Sequence, residues 1–186
     1  MRINPDHWLA RTRRLPSPNY DDRCDPFEIC LIVVHGISLP PGEFGNGMID
    51  RLFLNELDTK ATAALADLEG LEVSSHLLID RRGRCTQYVA FDRRAWHAGA
   101  SSWRGRPACN DFAIGIELEG TDSRPYTAAQ YRRLVLVTNA LIHAYPRLAP
   151  DAVVGHFEIA PHRKTDPGSS FDWSRYLLGL NRPEVA

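Results

Sequence analysis

Residues 29–36, Ile-Cys-Leu-Ile-Val-Val-His-Gly, decide the fold. Six apolar residues in a row, rich in β-branched side chains, fit a strand buried on both faces and therefore inside a sheet. The strand is expected to end at His35-Gly36, the kind of place where α/β sheets open their clefts. A second buried strand is expected over Phe112–Glu119, FAIGIELE. Alternation puts Ile114, Ile116 and Leu118 on one face and Ala113, Gly115, Glu117 and Glu119 on the other. The first face is core. The second, small and then acidic, suits the floor of an open cleft, because a charge on a central strand is costly to bury unless it is paired or working.

Outward from these strands, residues 1–27 hold Pro5, Pro16, Pro18 and Pro26 and read as an irregular lead-in, with Arg11, Arg13 and Arg14 as a solvated basic patch. Residues 38–47, SLPPGEFGNG, form a loop whose Glu43 and Phe44 are expected near His35, either as a mobile cleft wall or as a plain connection. Met48–Leu57 and Asp58–Leu68 read as two short helices, the second capped by Asp58. Leu71–Asp80 and Cys85–Ala90 read as a hairpin about Gly83, with His76 a hydrogen-bonded structural histidine. Residues 91–110 read as a long polar loop carrying Trp96 and His97, an aromatic plane and a polar ring suited to sugar or peptide contact, unless Trp96 only pins the loop. Thr127 and Gln130 make a capping box for a helix to about Ala144, with Tyr131, Leu134, Val135, Leu141 and Ile142 buried and His143 on the surface. Val153-Val154 restart a strand, and Phe171–Leu180 close the chain's last helix.

The totals suit one domain: 186 residues, 44% hydrophobic and 24% charged. A net charge of −1 gives no general pull toward nucleic acid or a membrane surface, so neither is expected as a partner. No stretch approaches the roughly 18 apolar residues of a membrane span. The first residues carry charges and prolines where a secretory signal needs an apolar run of roughly 7–15. A cytoplasmic location is expected, with export after loss of a leader as the alternative. Cys24, Cys30, Cys85 and Cys109 are unclustered and read as reduced thiols, against a disulfide between some pair.

The chemistry gathers in residues 153–168, VVGHFEIAPHRKTDPG. His156 follows a strand, and Asp166 sits in a loop stiffened by Pro161 and Pro167. With His35 they would fill three positions of a tetrahedral zinc site and leave a fourth open. Zinc lowers the pKa of a water to roughly 7. Glu117 can then take a proton and pass it to a leaving amine. Lys164 can stabilise an oxyanion, a contribution of about 3–4 kcal/mol by analogy with other oxyanion donors. That chemistry is amide hydrolysis.

LIVVHGISLPPGEFG (31–45), VSSHLLI (73–79), RAWHAG (94–99), CNDFAIGIELEGTD (109–122) and GHFEIAPHRKTDPG (155–168) together closely resemble the zinc-dependent N-acetylmuramoyl-L-alanine amidases. That family includes amidase-type phage lysozymes and peptidoglycan-recognition proteins. The likeness runs from about Pro16 to Trp173. It implies an α/β (α+β) fold, a central mixed β-sheet flanked by helices, as a single amidase domain over residues 1–186. It assigns one zinc ion per chain to His35, His156 and Asp166, the last where several relatives carry cysteine. It makes Glu117 the acid/base and Lys164 the transition-state stabiliser. His76 matches a family histidine that is not a ligand. The implied partner is an anhydro-muramyl-peptide from cell-wall turnover, met by a monomeric enzyme of muropeptide recycling.

The enterobacterial pattern of the family has asparagine where Gly36 stands and arginines where Glu72 and Ala108 stand, at positions associated with grasping sugar and peptide carboxylate. Gly36, Trp96, His97, Arg104 and Arg106 are therefore the substrate-binding candidates, the two arginines as substitutes for a missing guanidinium. The rival readings are a phage-type or exported amidase acting on intact peptidoglycan, and a peptidoglycan-binding module without catalysis.

Overall fold

In the computed structural model, residues 1–180 are described; residues 181–186 of the expected domain lie outside the described residues. In chain order the strands are β1 (Arg13–Arg14), β2 (Tyr20–Asp22), β3 (Leu31–Ile37), β4 (Leu77–Ile79), β5 (Cys85–Gln87), β6 (Arg93–Ala95), β7 (Ser102–Trp103), β8 (Arg106–Pro107), β9 (Ala113–Glu119) and β10 (Val153–Gly155). The α-helices are α1 (Met48–Phe53), α2 (Ala128–Ala144), α3 (His156–Ile159) and α4 (Trp173–Leu180).

The main sheet has the order β1-β5-β4-β9-β3-β10. β10, β3, β9 and β4 run parallel, while β5 is antiparallel to β4 and parallel to β1, so the sheet is mixed. The two apolar runs are neighbours at its centre, as their burial on both faces requires. Their register sets His35 opposite Glu117 and Val34 opposite Ile116.

One face of the sheet is covered by helix. Ile32, Val34, Ile114, Ile116 and Leu118 pack with Tyr131, Leu134, Val137 and Leu141 of α2 and Tyr176 of α4. The Thr127–Gln130 capping box forms as expected, and the Gln130 side chain also donates to the carbonyls of Ile79 and Glu119, tying the start of α2 to the sheet. On the other face Leu31 and Val33 join Ala98, Phe112 and Ile159 in one small cluster, and Leu78 joins α1 and Tyr88 in another.

Several expectations are corrected. The central strand continues through His35-Gly36 to Ile37, because the ladder with β9 runs on to Glu119. The lead-in contributes β1 and β2, which pair with β5 and β6; both are short and exposed, so no apolar pattern announces them. The helix expected over Asp58–Leu68 is a 3-10 turn over Ala63–Leu68, and Asp58 makes a local turn with the Lys60 amide in place of a cap. The expected hairpin strands shrink to β4 and β5, and the loop over 91–110 contains β6, β7 and β8. His156 opens α3, so the two histidines sit on different kinds of element.

Candidate metal centre

His35 lies on β3 with its Nδ1 on the sheet's second face, and His156 stands at the first position of α3, directly after the neighbouring strand β10. Nδ1 of His35 is 3.0 Å from Nδ1 of His156, and Oδ2 of Asp166 is 3.3 Å and 3.1 Å from them. Among the described residues these three form the group of side chains able to hold a metal. Zinc bound at about 2.0–2.2 Å spaces tetrahedral ligands about 3.3–3.6 Å apart, so the triangle is close to size and slightly tight. The donor set, two imidazoles and a carboxylate, is also what zinc takes. Burial pushes the His35 pKa down to about 4 against the opposing pull of Asp166, keeping the imidazole in its ligating neutral form. Burial alone would raise Asp166, but hydrogen bonds with His156 and His35 hold it well below the usual carboxylate range.

The loop that delivers Asp166 is fixed from several sides. Its carbonyl accepts from Phe157 N–H at 3.2 Å, and the next carbonyl, of Pro167, accepts from the Tyr126 hydroxyl at 2.9 Å. Gly36 contributes its backbone, whose N–H lies 3.4 Å from Oδ2 of Asp166.

A cleft of about 220 Å³ opens beside the triangle, lined by His35, Glu117, His156, Lys164 and Asp166 on one side and by Leu39, Phe53, Leu71, Val73 and Trp96 on the other. Glu117 is buried and its Oε2 has no hydrogen-bond partner. Burial, then the nearby Asp166 carboxylate, raise its pKa well above the ordinary value, with Lys164 opposing them. Size alone would not select this cleft. A hollow of about 390 Å³ beside α1 and the β4–β5 hairpin is larger, yet its carboxylates are engaged: Asp50 with Arg13 and Tyr88, Asp80 with Arg84, Glu119 with backbone amides.

The structure brings Gly36, Trp96 and His97 to the cleft and leaves Arg104 and Arg106 elsewhere. Arg104 lies over Trp103 and pairs with Asp151 at 3.4 Å; Arg106 lies over Phe112 and pairs with Glu28 at 2.5 Å. Neither supplies a guanidinium to the cleft. Glu72 and Ala108 are exposed. His97 is half-buried with Nδ1 2.9 Å from Nε2 of His35, so its polar edge faces that ring. His76 is buried: its Nδ1 accepts from Gly115 N–H at 3.0 Å and its Nε2 lies 3.0 Å from the Arg93 carbonyl, in keeping with a structural role. The loop over 38–47 has Gly45 N–H on Glu119 Oε1 at 2.5 Å and Phe44 between Arg81 and Arg124; Leu39 lines the cleft, whereas Glu43 and Phe44, expected near His35, do not.

Two residues that sequence reading left without a role are Arg23 and Asn110. Arg23, buried, spans the carbonyls of Asn110 and Ala113 at 2.9 and 2.7 Å, and burial lowers its pKa to about 10. Asn110 accepts both the His97 and Ala98 amides on Oδ1. A buried polar pair of this kind has no signature in local sequence, although Asn110 lies inside a family motif.

The fold and the triangle define a class, and comparison with known proteins agrees: residues 27–169 match the N-acetylmuramoyl-L-alanine amidase family. The chain belongs to that family and is an amidase. Among individual proteins, the 1,6-anhydro-N-acetylmuramyl-L-alanine amidase AmpD of Citrobacter freundii is 59% identical over 169 residues, 91% of this chain and 90% of its own. A crystal structure of a selenomethionine AmpD derivative superposes with a TM-score of 0.93 at 56% identity, covering 97% of this chain and 99% of that one. The Escherichia coli amidase AmiD, solved with the substrate anhydro-N-acetylmuramic acid-L-Ala-D-γ-Glu-L-Lys, gives a TM-score of 0.60 at 32% identity, over 82% of this chain and 57% of that one.

Proposed function

We propose that the chain hydrolyses the amide joining the lactyl group of 1,6-anhydro-N-acetylmuramic acid to L-alanine of a stem peptide, with one zinc ion per chain, in the recycling of cell-wall fragments in the cytoplasm. The observation that carries the reading is the triangle of His35, His156 and Asp166 beside a buried carboxyl with a free oxygen. The substrate is supported by the name of the Citrobacter relative and by the ligand in the AmiD complex. Four free cysteines accord with a reducing compartment. All donors come from one chain, so a monomer suffices.

His35, His156 and Asp166 would hold a zinc ion, whose Lewis acidity would polarise the scissile carbonyl and acidify a water. Glu117, which lines the cleft, takes the proton of the attacking water and returns it to the departing alanine nitrogen. Burial suits it to that exchange, since its carboxyl holds a proton more readily than a solvated one. Lys164, exposed on the cleft rim, places positive charge where the carbonyl oxygen becomes an oxyanion. Trp96, Leu71 and Val73 offer an apolar wall to the sugar and lactyl group.

The test is release of peptide from purified anhydro-muramyl-tripeptide, with zinc content measured on the same sample before and after chelation. Near-stoichiometric zinc, and peptide release only when loaded, is expected. Full activity in metal-free protein would remove the metal from the mechanism, and preferential digestion of polymeric sacculi would favour an enzyme of intact wall. Asp166→Ala is expected to lose both zinc and turnover.

A further inference from the structure

We infer that His97 is a positioning residue for the metal centre: it holds the far nitrogen of His35 so that Nδ1 of that ring faces the other two donors. The inference rests on the reading of His35 as a ligand. A ligating Nδ1 carries no proton, so the proton of neutral His35 sits on Nε2. That Nε2 is 2.9 Å from Nδ1 of His97, and the rings meet edge to face at 82°. His35 therefore donates and His97 accepts. This fixes His97 as the tautomer protonated on Nε2, which is buried and has no partner. An unpartnered buried N–H costs stability, a cost that a ring serving only to fill space would not carry.

The surroundings hold His97 in this pose. Its backbone N–H donates to Asn110 Oδ1 at 3.2 Å, and its ring lies over the Cα of Gly115, where a Cβ would come within 2.4 Å of Cγ and 2.7 Å of Nδ1. Only glycine at 115 leaves the ring its place. His156 is held by the adjoining residue, its Nε2 3.2 Å from the Ala98 carbonyl, and the Ala98 N–H donates to the same Asn110 oxygen at 2.8 Å. One dipeptide, clamped by one side-chain amide, thus carries the outer acceptors of both histidines.

The experiment is zinc affinity by competition with a chelator, alongside the melting temperature of the metal-free protein. H97F keeps a ring and removes the acceptor, and is expected to weaken zinc binding by about 10–100-fold. H97N sets an amide oxygen near the position of Nδ1 and is expected to bind zinc more tightly than H97F. G115A leaves the imidazole intact but displaces it, and is expected to lose affinity in the same direction. It decides the matter if H97F does not fold. Wild-type affinity in H97F and G115A overturns the inference, as does a raised KM with unchanged zinc affinity, which would make His97 a substrate contact. If the wild type itself binds no zinc, or H35A binds it equally well, the ligand reading fails instead and takes the inference with it.

Discussion

Glu117 and Glu119 sit two residues apart on one face of one strand, nearly equally buried at 8% and 5% exposure, yet their surroundings are opposite. Glu119 is satisfied: Oε1 accepts from Gly45 N–H at 2.5 Å and Oε2 from Arg81 N–H at 3.1 Å. Glu117 keeps an oxygen without a partner and shares its cleft with His35, His156 and Asp166. Sequence pattern treats the two alike, and only the distribution of donors around them separates an anchor from a reagent. A buried carboxylate whose lone pairs are all used belongs to the architecture, whereas one left open has been kept for an exchange.

The comparison can be broken most directly at Glu117. Glu117→Gln is expected to lower kcat by about 100- to 10,000-fold while zinc content and melting temperature hold; near-normal turnover on the anhydro-muramyl-peptide would end its role as acid/base. Lys164→Ala, on the same rim, is expected to lower kcat by about 100- to 1,000-fold with little change in zinc content, read by the same assay under saturating substrate. Glu119→Ala should do the reverse. Each orphaned amide of Gly45 and Arg81 costs about 1–3 kcal/mol, seen as a lower urea midpoint, while folded molecules remain active and zinc-loaded. Inactivity of fully folded Glu119→Ala protein would erase the contrast.

The smallest effect concerns a buried group outside the ligand set. Burial lowers the pKa of His76 from 6.5 to about 3. Over that interval the unfolded chain binds the proton and the folded chain does not, so His76 makes stability fall as pH falls. Urea titrations of metal-free protein between pH 6.5 and 4 should show a shallower loss for His76→Asn than for the wild type.

The central strands, the capping box and the residues of the triangle were legible because each is written locally: an unbroken apolar run, a spaced pair, a histidine at a strand, a carboxylate between prolines. The edge strands of the lead-in were not, since Arg13-Arg14 and Tyr20–Asp22 carry exposed polar residues and acquire strand form only from distant partners. Helix was overestimated at 58–68, where a turn of 3-10 geometry buries only Leu65. The arginines at 104 and 106 show the same boundary from the functional side. Their charge was visible, but their commitment to Asp151 and Glu28 depends on chain that lies far away in sequence.

The pairing of His35 with Glu117 across the β3–β9 ladder makes the strand spacing, about 4.8 Å, the ruler of the proposed reaction centre. A slip of one residue would send the two side chains to opposite faces, and a slip of two would separate them by roughly another 6–7 Å along the strand. On the proposed roles of the two residues, either error would take the acid/base away from the metal centre. Specific activity in a preparation of this protein therefore works as a census, counting the molecules whose central strands closed in correct alignment.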